Sequence, residues 1–224
     1  MTDFILRNLG VWIAPILFVL IYYFAKHIHK NQYRYEIGAF ILANIVILIQ
    51  PRFLNIPIPF LNALVTSGHL SLAIFLLVMF AGVLKKNSKP KKMLSMVRGE
   101  LAVIGFILLL PHAFARLALA LSGYNMSGLF AFIIFIPLVV TSFMVIRKKM
   151  NPKHWKNLHR LAYVAYFFIY IHLAFTISLN PDFRFIRFDP YALLYHLILI
   201  LYAILRVINV ILPKVKKSQI IKPS

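Results

Sequence analysis

Long apolar runs joined by short loops of alternating charge govern what this chain can fold into. A helix needs about 20 apolar residues to cross a hydrocarbon core. With that ruler the runs fall at Leu9–Ala25, Tyr35–Ile49, Leu61–Leu84, Gly99–Leu121, Ser127–Ile146, Leu161–Leu179 and Tyr191–Leu212. The loops after the first, third, fifth and seventh runs are basic. They carry Lys26, Lys30 and Arg34, then Lys85, Lys86, Lys89, Lys91 and Lys92, then Arg147, Lys148, Lys149, Lys153 and Lys156, then Lys214, Lys216, Lys217 and Lys222. The loops between them are nearly neutral: Arg52 alone, no charge over Ser122–Met126, and Asp182 and Asp189 set against Arg184 and Arg187. Cytoplasmic loops attract Lys and Arg. The alternation predicts an all-α polytopic bundle of about seven spans, with the N-terminus outside and the C-terminus in the cytoplasm. The second run is the shortest and is kept as a span because the charge parity needs it.

Composition agrees. Hydrophobic residues make up 62% of the chain and charged residues 13%, with a mean hydropathy of +0.84. A soluble domain carries roughly 45–50% apolar and about 25% charged residues, so this chain has too little polar surface to cover itself in water. The formal charge of +20 lies in the loops, where contact with membrane lipid explains it without a nucleic-acid partner. The absence of cysteine excludes disulfides, thiolate-held iron–sulfur clusters, Cys-ligated zinc and covalent C-x-x-C-H haem attachment. The first run does not read as a cleavable signal peptide, since Asp3 precedes it and Tyr22-Tyr23-Phe24 ends it. Without a G-x-G-x-x-G or Walker sequence, residues 1–224 read as a single transmembrane domain.

Ionisable groups inside spans are expensive and mark functional sites by default. Acidic residues are scarce there, Glu100 sitting at the inner boundary beside Arg98. Histidines are not. His69, His112, His172 and His196 fall within runs, His159 opens one, and His27, His29 and His154 lie in basic loops that need no further reason. His112 follows Arg98 by 14 residues and His172 follows His159 by 13. At 1.5 Å per residue the two imidazoles differ in depth by only about 1.5 Å. His69 enters from the other side to a similar level. Neutral nitrogen ligands at one depth on different helices, without a carboxylate or thiolate, suit the two axial positions of a haem iron better than a zinc ion. Hydrogen bonding to a neighbouring helix is the alternative for each histidine. Arg116, one turn beyond His112, either neutralises a haem propionate or extends to outer headgroups. His159 and His172 stand roughly 140° apart on an ideal helix and share a face only if that helix is distorted. Pro111 is expected to kink or open its helix.

The segment Trp155-Lys-Asn-Leu158-His159-Arg160-Leu161-Ala-Tyr163, with His172 thirteen residues after its histidine, resembles the ferric reductase-like transmembrane domain. Nearest in pattern are the haem-binding membrane subunits of bacterial methionine sulfoxide reductase systems. Thr141-Ser142, Arg147, the Arg98-to-His112 spacing with Phe106, Thr66-Ser67-Gly68 and Leu72-Ala73 add to the resemblance, which covers about residues 59–180. Gly99 and Ala102 depart from the family pattern. The resemblance implies a six-helix core plus one helix in a bacterial cell membrane, with a b-type haem between His112 and His172. A second haem would use His159, but its partner position here is Arg98. His159 then contacts a quinone, a propionate or a loop, or ligates a second haem with another partner, and His69 is an alternative ligand. Quinone and FMN are the other cofactors that come into view.

These readings point to a membrane electron-transfer protein, an oxidoreductase subunit that needs a separate partner. Its donor is a quinol or flavoprotein and its acceptor an extracytoplasmic reductase, flavoprotein or other oxidant. The competing class is a non-redox transporter or assembly subunit with structural histidines. A retinal protein is disfavoured because Tyr191–Leu212 has no lysine for a Schiff base.

Overall fold

The computed structural model describes residues 2–50, 52–56, 58–179, 186–213 and 215. Asp182, Arg184 and the basic residues Lys214, Lys216, Lys217 and Lys222 lie outside the described residues. The chain is mostly helical. In order it forms α1 (Thr2–Arg7), α2 (Leu9–Lys30), α3 (Gln32–Leu48), α4 (Pro59–Leu61), a π-helical turn at Asn62–Thr66, α5 (His69–Phe80), α6 (Lys89–Met96), α7 (Arg98–Leu121) and α8 (Met126–Val140). There follow α9 (Met144–Arg147), α10 (Pro152–Leu158), a 3-10 turn at His159–Leu161, α11 (Ala162–Ala174), strands β1 (Phe175–Ile177) and β2 (Ile186–Phe188), and α12 (Leu193–Arg206), which continues into a π turn at Val207–Ile211.

Among the described residues, four stretches are long and apolar enough to cross a membrane: Leu9–Lys30, Pro59–Phe80, Arg98–Leu121 and Leu193–Ile211. Met126–Val140 is a shorter apolar helix. The other expected runs have local reasons for their length. α3 has only 17 residues and includes Arg34 and Glu36 in its first half. α11 has 13 residues, because the 3-10 turn takes its start and β1 takes its end. The all-α expectation is corrected at that end. The β-branched and aromatic residues Phe175-Thr176-Ile177 pair antiparallel with Ile186-Arg187-Phe188, Thr176 opposite Arg187, as suits residues of high strand preference.

Large apolar side chains lie exposed on the helices, among them Ile16, Tyr23, Phe60, Leu121, Leu193 and Ile204. Apolar surface on this scale is what lipid covers and water does not. Inside, α2 packs on α5, α5 on α7, α7 on α3 and α8, and α8 on α11. Ile21, Ala25 and Ile28 of α2 share one core with Ile74 and Leu77 of α5 and Leu101 and Leu108 of α7. A second core gathers Phe75, Phe135, Leu138 and Ala165.

Three sequence readings change locally. α2 runs to Lys30, so His27 and His29 occupy its last turn rather than a loop. His29 Nδ1 lies 2.6 Å from Oε1 of Glu100, whose side chain is buried, and this pairing gives the isolated acid a partner. α7 runs on through the buried Pro111 and does not open there. The Pro111 carbonyl accepts a hydrogen bond from Gln50 Nε2 at 3.1 Å.

Candidate cofactor site

Four segments converge on one cavity: the turn leading into α5, and helices α7, α8 and α11. Gly68 starts α5 in a left-handed conformation (φ 79°) that a residue with a Cβ adopts only at a cost. That turn places the Thr66 carbonyl 3.0 Å from Nδ1 of His112. A carbonyl can only accept, so His112 carries its proton on Nδ1 and presents the Nε2 lone pair. Metal-ligating histidines are oriented in this way by a backbone carbonyl.

His172, near the end of α11, faces His112. The ring centres are 6.1 Å apart and the planes stand at 82°. Two imidazoles bound to one metal at ~2.0 Å, each ring centre ~1.1 Å behind its nitrogen, would place their centres ~6.2 Å apart. The His172 Nδ1 is buried without a hydrogen-bond partner. It points at Gly128 of α8, where an added Cβ would sit 2.6 Å from it. An orphaned buried nitrogen costs roughly 1–3 kcal/mol, and this nitrogen, packed against Gly128, lacks the carbonyl partner that Nδ1 of His112 has. At the end of α11, Asn125 Nδ2 donates to the His172 carbonyl at 3.3 Å.

The cavity that both rings line has a volume of about 490 Å³, within the range of cofactor sites. Its walls are largely apolar, including Leu72, Leu109, Phe132 and Ile169, and Arg116 stands at its edge as an exposed cation. His69 lines the same cavity. Among the described residues no three His, Cys, Asp or Glu side chains come close enough to hold a metal ion by themselves. Two histidine rings with no third ligand do not build a protein-only zinc or iron site. They would suit a group that brings its own nitrogen ligands and takes two more from the protein.

The other sequence candidates sit elsewhere. His159, in the 3-10 turn, and Arg98, at the start of α7, line a separate cavity of about 200 Å³ with Arg147, Trp155 and Tyr166. His159 thus sits in a 3-10 turn ahead of α11 and lines a different cavity from His172. Phe75 and Phe135 line both cavities and stack with centres 4.6 Å apart and planes 7° apart, forming the wall between them. His196 does not line the His112 cavity. Its Nδ1 pairs with the Tyr170 hydroxyl at 2.8 Å, and its ring stacks on Phe188 of β2. Sequence reasoning missed Gly128, whose only signal was a glycine in the first turn of an apolar helix, and it gave Phe75 and Phe135 no role.

The chain is 36% identical over 156 residues to an uncharacterized protein of Treponema pallidum (strain Nichols). That match takes in 63% of this chain and 43% of the relative's length. No family model matches the chain, and no solved structure matches it.

Proposed function

We propose that this chain is a haem b-binding electron-transfer protein of the bacterial cytoplasmic membrane, in which His112 and His172 would hold the haem iron. One observation carries the reading: His112, its proton fixed on Nδ1 by Thr66, has its ring centre 6.1 Å from that of His172, the separation expected of two imidazoles on one metal. The basic and neutral loops support seven spans with the N-terminus outside, which puts the histidine pair in the outer half of the bilayer. When bound there, the haem supplies a one-electron couple.

The chain's own residues set the conditions for that couple. Thr66 holds the His112 ring and raises its basicity as a ligand. Gly68 and Gly128 leave room for both rings. Arg116 at the cavity edge balances an anionic edge of a cofactor. Apolar walls keep the site dry, which strengthens the effect of each nearby charge on a potential. His69 is an alternative ligand. Electrons enter from a quinol or a flavoprotein and leave to an extracytoplasmic reductase, flavoprotein or other acceptor. The chain thus acts as a subunit of an oxidoreductase of the ferric reductase-like or methionine sulfoxide reductase-associated kind. Quinone or FMN is a further cofactor in this reading.

Purification in mild detergent, a spectrum before and after dithionite, and a pyridine haemochrome assay test this. The expected result is a sharp reduced α band with one or two haems per chain. A colourless protein that also refuses added haemin contradicts the proposal.

A further inference from the structure

The smaller cavity carries an inference of its own, independent of the haem reading. The exposed Arg98 of α7 and Arg147 of α9 both line it. Arg147 Nη1 reaches to 3.7 Å of the point a Cβ on Gly99 would occupy, next to Arg98. Its guanidinium lies over the Trp155 ring, 4.7 Å from the ring centre. That indole is itself fixed. Its Nε1 donates to the Thr141 carbonyl at 3.0 Å, and the His159 ring lies tilted against it with centres 4.1 Å apart. His159 Nε2 in turn pairs with the Thr141 hydroxyl at 3.1 Å.

Neither arginine has an acidic partner among the described residues, where the ion pairs are Arg7 with Asp189 and His29 with Glu100. Glu100, two residues from Arg98, is committed to His29. Two guanidinium groups, one of them held over an indole, therefore present their donors to an outside anion. A dianion with three acceptor oxygens matches two such forks better than a single carboxylate does. Behind the arginines the cavity turns apolar, with Val78, Met79 and Leu138.

We infer that this cavity binds a phosphate monoester joined to an apolar body, its phosphate between Arg98 and Arg147 and its body against Val78, Met79 and Leu138. An anionic lipid headgroup and a soluble phosphate share this chemistry, and binding can tell them apart. The chain has two tryptophans, so a Trp12→Phe background leaves Trp155 as the only indole reporter. The full chain in a neutral detergent is titrated with dihexanoylphosphatidic acid, with its uncharged counterpart dihexanoylglycerol, and with inorganic phosphate.

A saturable change in Trp155 emission with the lipid phosphate, absent with dihexanoylglycerol, is expected. Arg98→Gln and Arg147→Gln should each weaken it by at least about tenfold, the loss of one charged hydrogen-bonding partner. Lys148→Gln, which alters an exposed charge outside the cavity, should leave it unchanged. A response to the lipid phosphate alone assigns the site to a lipid headgroup, and an equal response to inorganic phosphate shows that the apolar body adds nothing and overturns that part of the inference. No saturable response, an equal response to dihexanoylglycerol, or equal weakening by Lys148→Gln overturns the inference. Gel filtration checks that each variant is folded, and two arginine variants guard against the loss of one.

Discussion

Gly128 of α8 lies so close to His172 of α11 that a single methyl group on it would stand 2.6 Å from the imidazole Nδ1. Helix-to-helix contact and ligand placement are therefore one geometric fact at this position. Gly128→Ala must move the ring or part the helices. Overpacking of this kind costs about 1–3 kcal/mol. A lower melting temperature in detergent together with weaker haem retention is expected, while a variant that melts and binds like the parent would show that α8 does not position His172.

Gly68 tests the other ligand. Its φ of 79° charges a side chain about 1–2 kcal/mol in backbone energy, and a Cβ there would also meet His112 Cγ at 3.2 Å. Asn tolerates the left-handed region better than Ala but brings the same Cβ. Gly68→Asn should thus melt closer to the parent than Gly68→Ala, and both should bind haem less tightly. Thermal unfolding and haemin titration separate the two effects.

Phe75 and Phe135 form the wall between the two cavities. Phe135→Ala would join the cavities and remove a buried stacked ring, at about 3–5 kcal/mol. Phe135→Leu keeps most of the volume and should cost clearly less. Chemical unfolding of both variants measures the difference, and equal costs would mean that the ring does not fill this wall.

Lys91 supplies a pH test outside the apolar helices. Its Nζ donates to the Ala81 carbonyl at 2.5 Å and to the Gly82 carbonyl at 3.0 Å. Burial, and then the neighbouring Arg98, hold its pKa below the ordinary 10.5. A lysine depressed in the folded state binds fewer protons there than in the unfolded chain, so stability rises with pH between the lowered and the ordinary values. The neutral amine still donates to both carbonyls. Lys91→Met should lack that alkaline rise, which melting curves at stepped pH would show.

Much of this arrangement was legible in the sequence because membrane constraints act on long runs. Hydropathy located the four long helices, and counting residues from Arg98 and His159 put His112 and His172 at matching depth. Both rings indeed line one cavity. The parts that escaped reading depend on contacts between segments distant in sequence. Nothing near His29 in the chain announces Glu100, and nothing near Gly128 announces His172. The end of α11 escaped for a different reason: Phe175-Thr176-Ile177 is as apolar as a helix needs, and only its partner strand shows that it is extended. Hydropathy also gave Leu61–Leu84 and Leu161–Leu179 as unbroken runs, whereas the backbone turns at Gly68 in the first and becomes extended at Phe175 in the second.

The most direct test of the central claim is the haem content of the parent chain beside His112→Ala and His172→Ala, each expressed with haem in excess. The account predicts a low-spin spectrum with at least one haem per chain in the parent. Each variant should lose that haem, or hold it weakly in a high-spin form. Variants that stay fully loaded and low-spin would contradict the assignment of these two histidines as the axial pair.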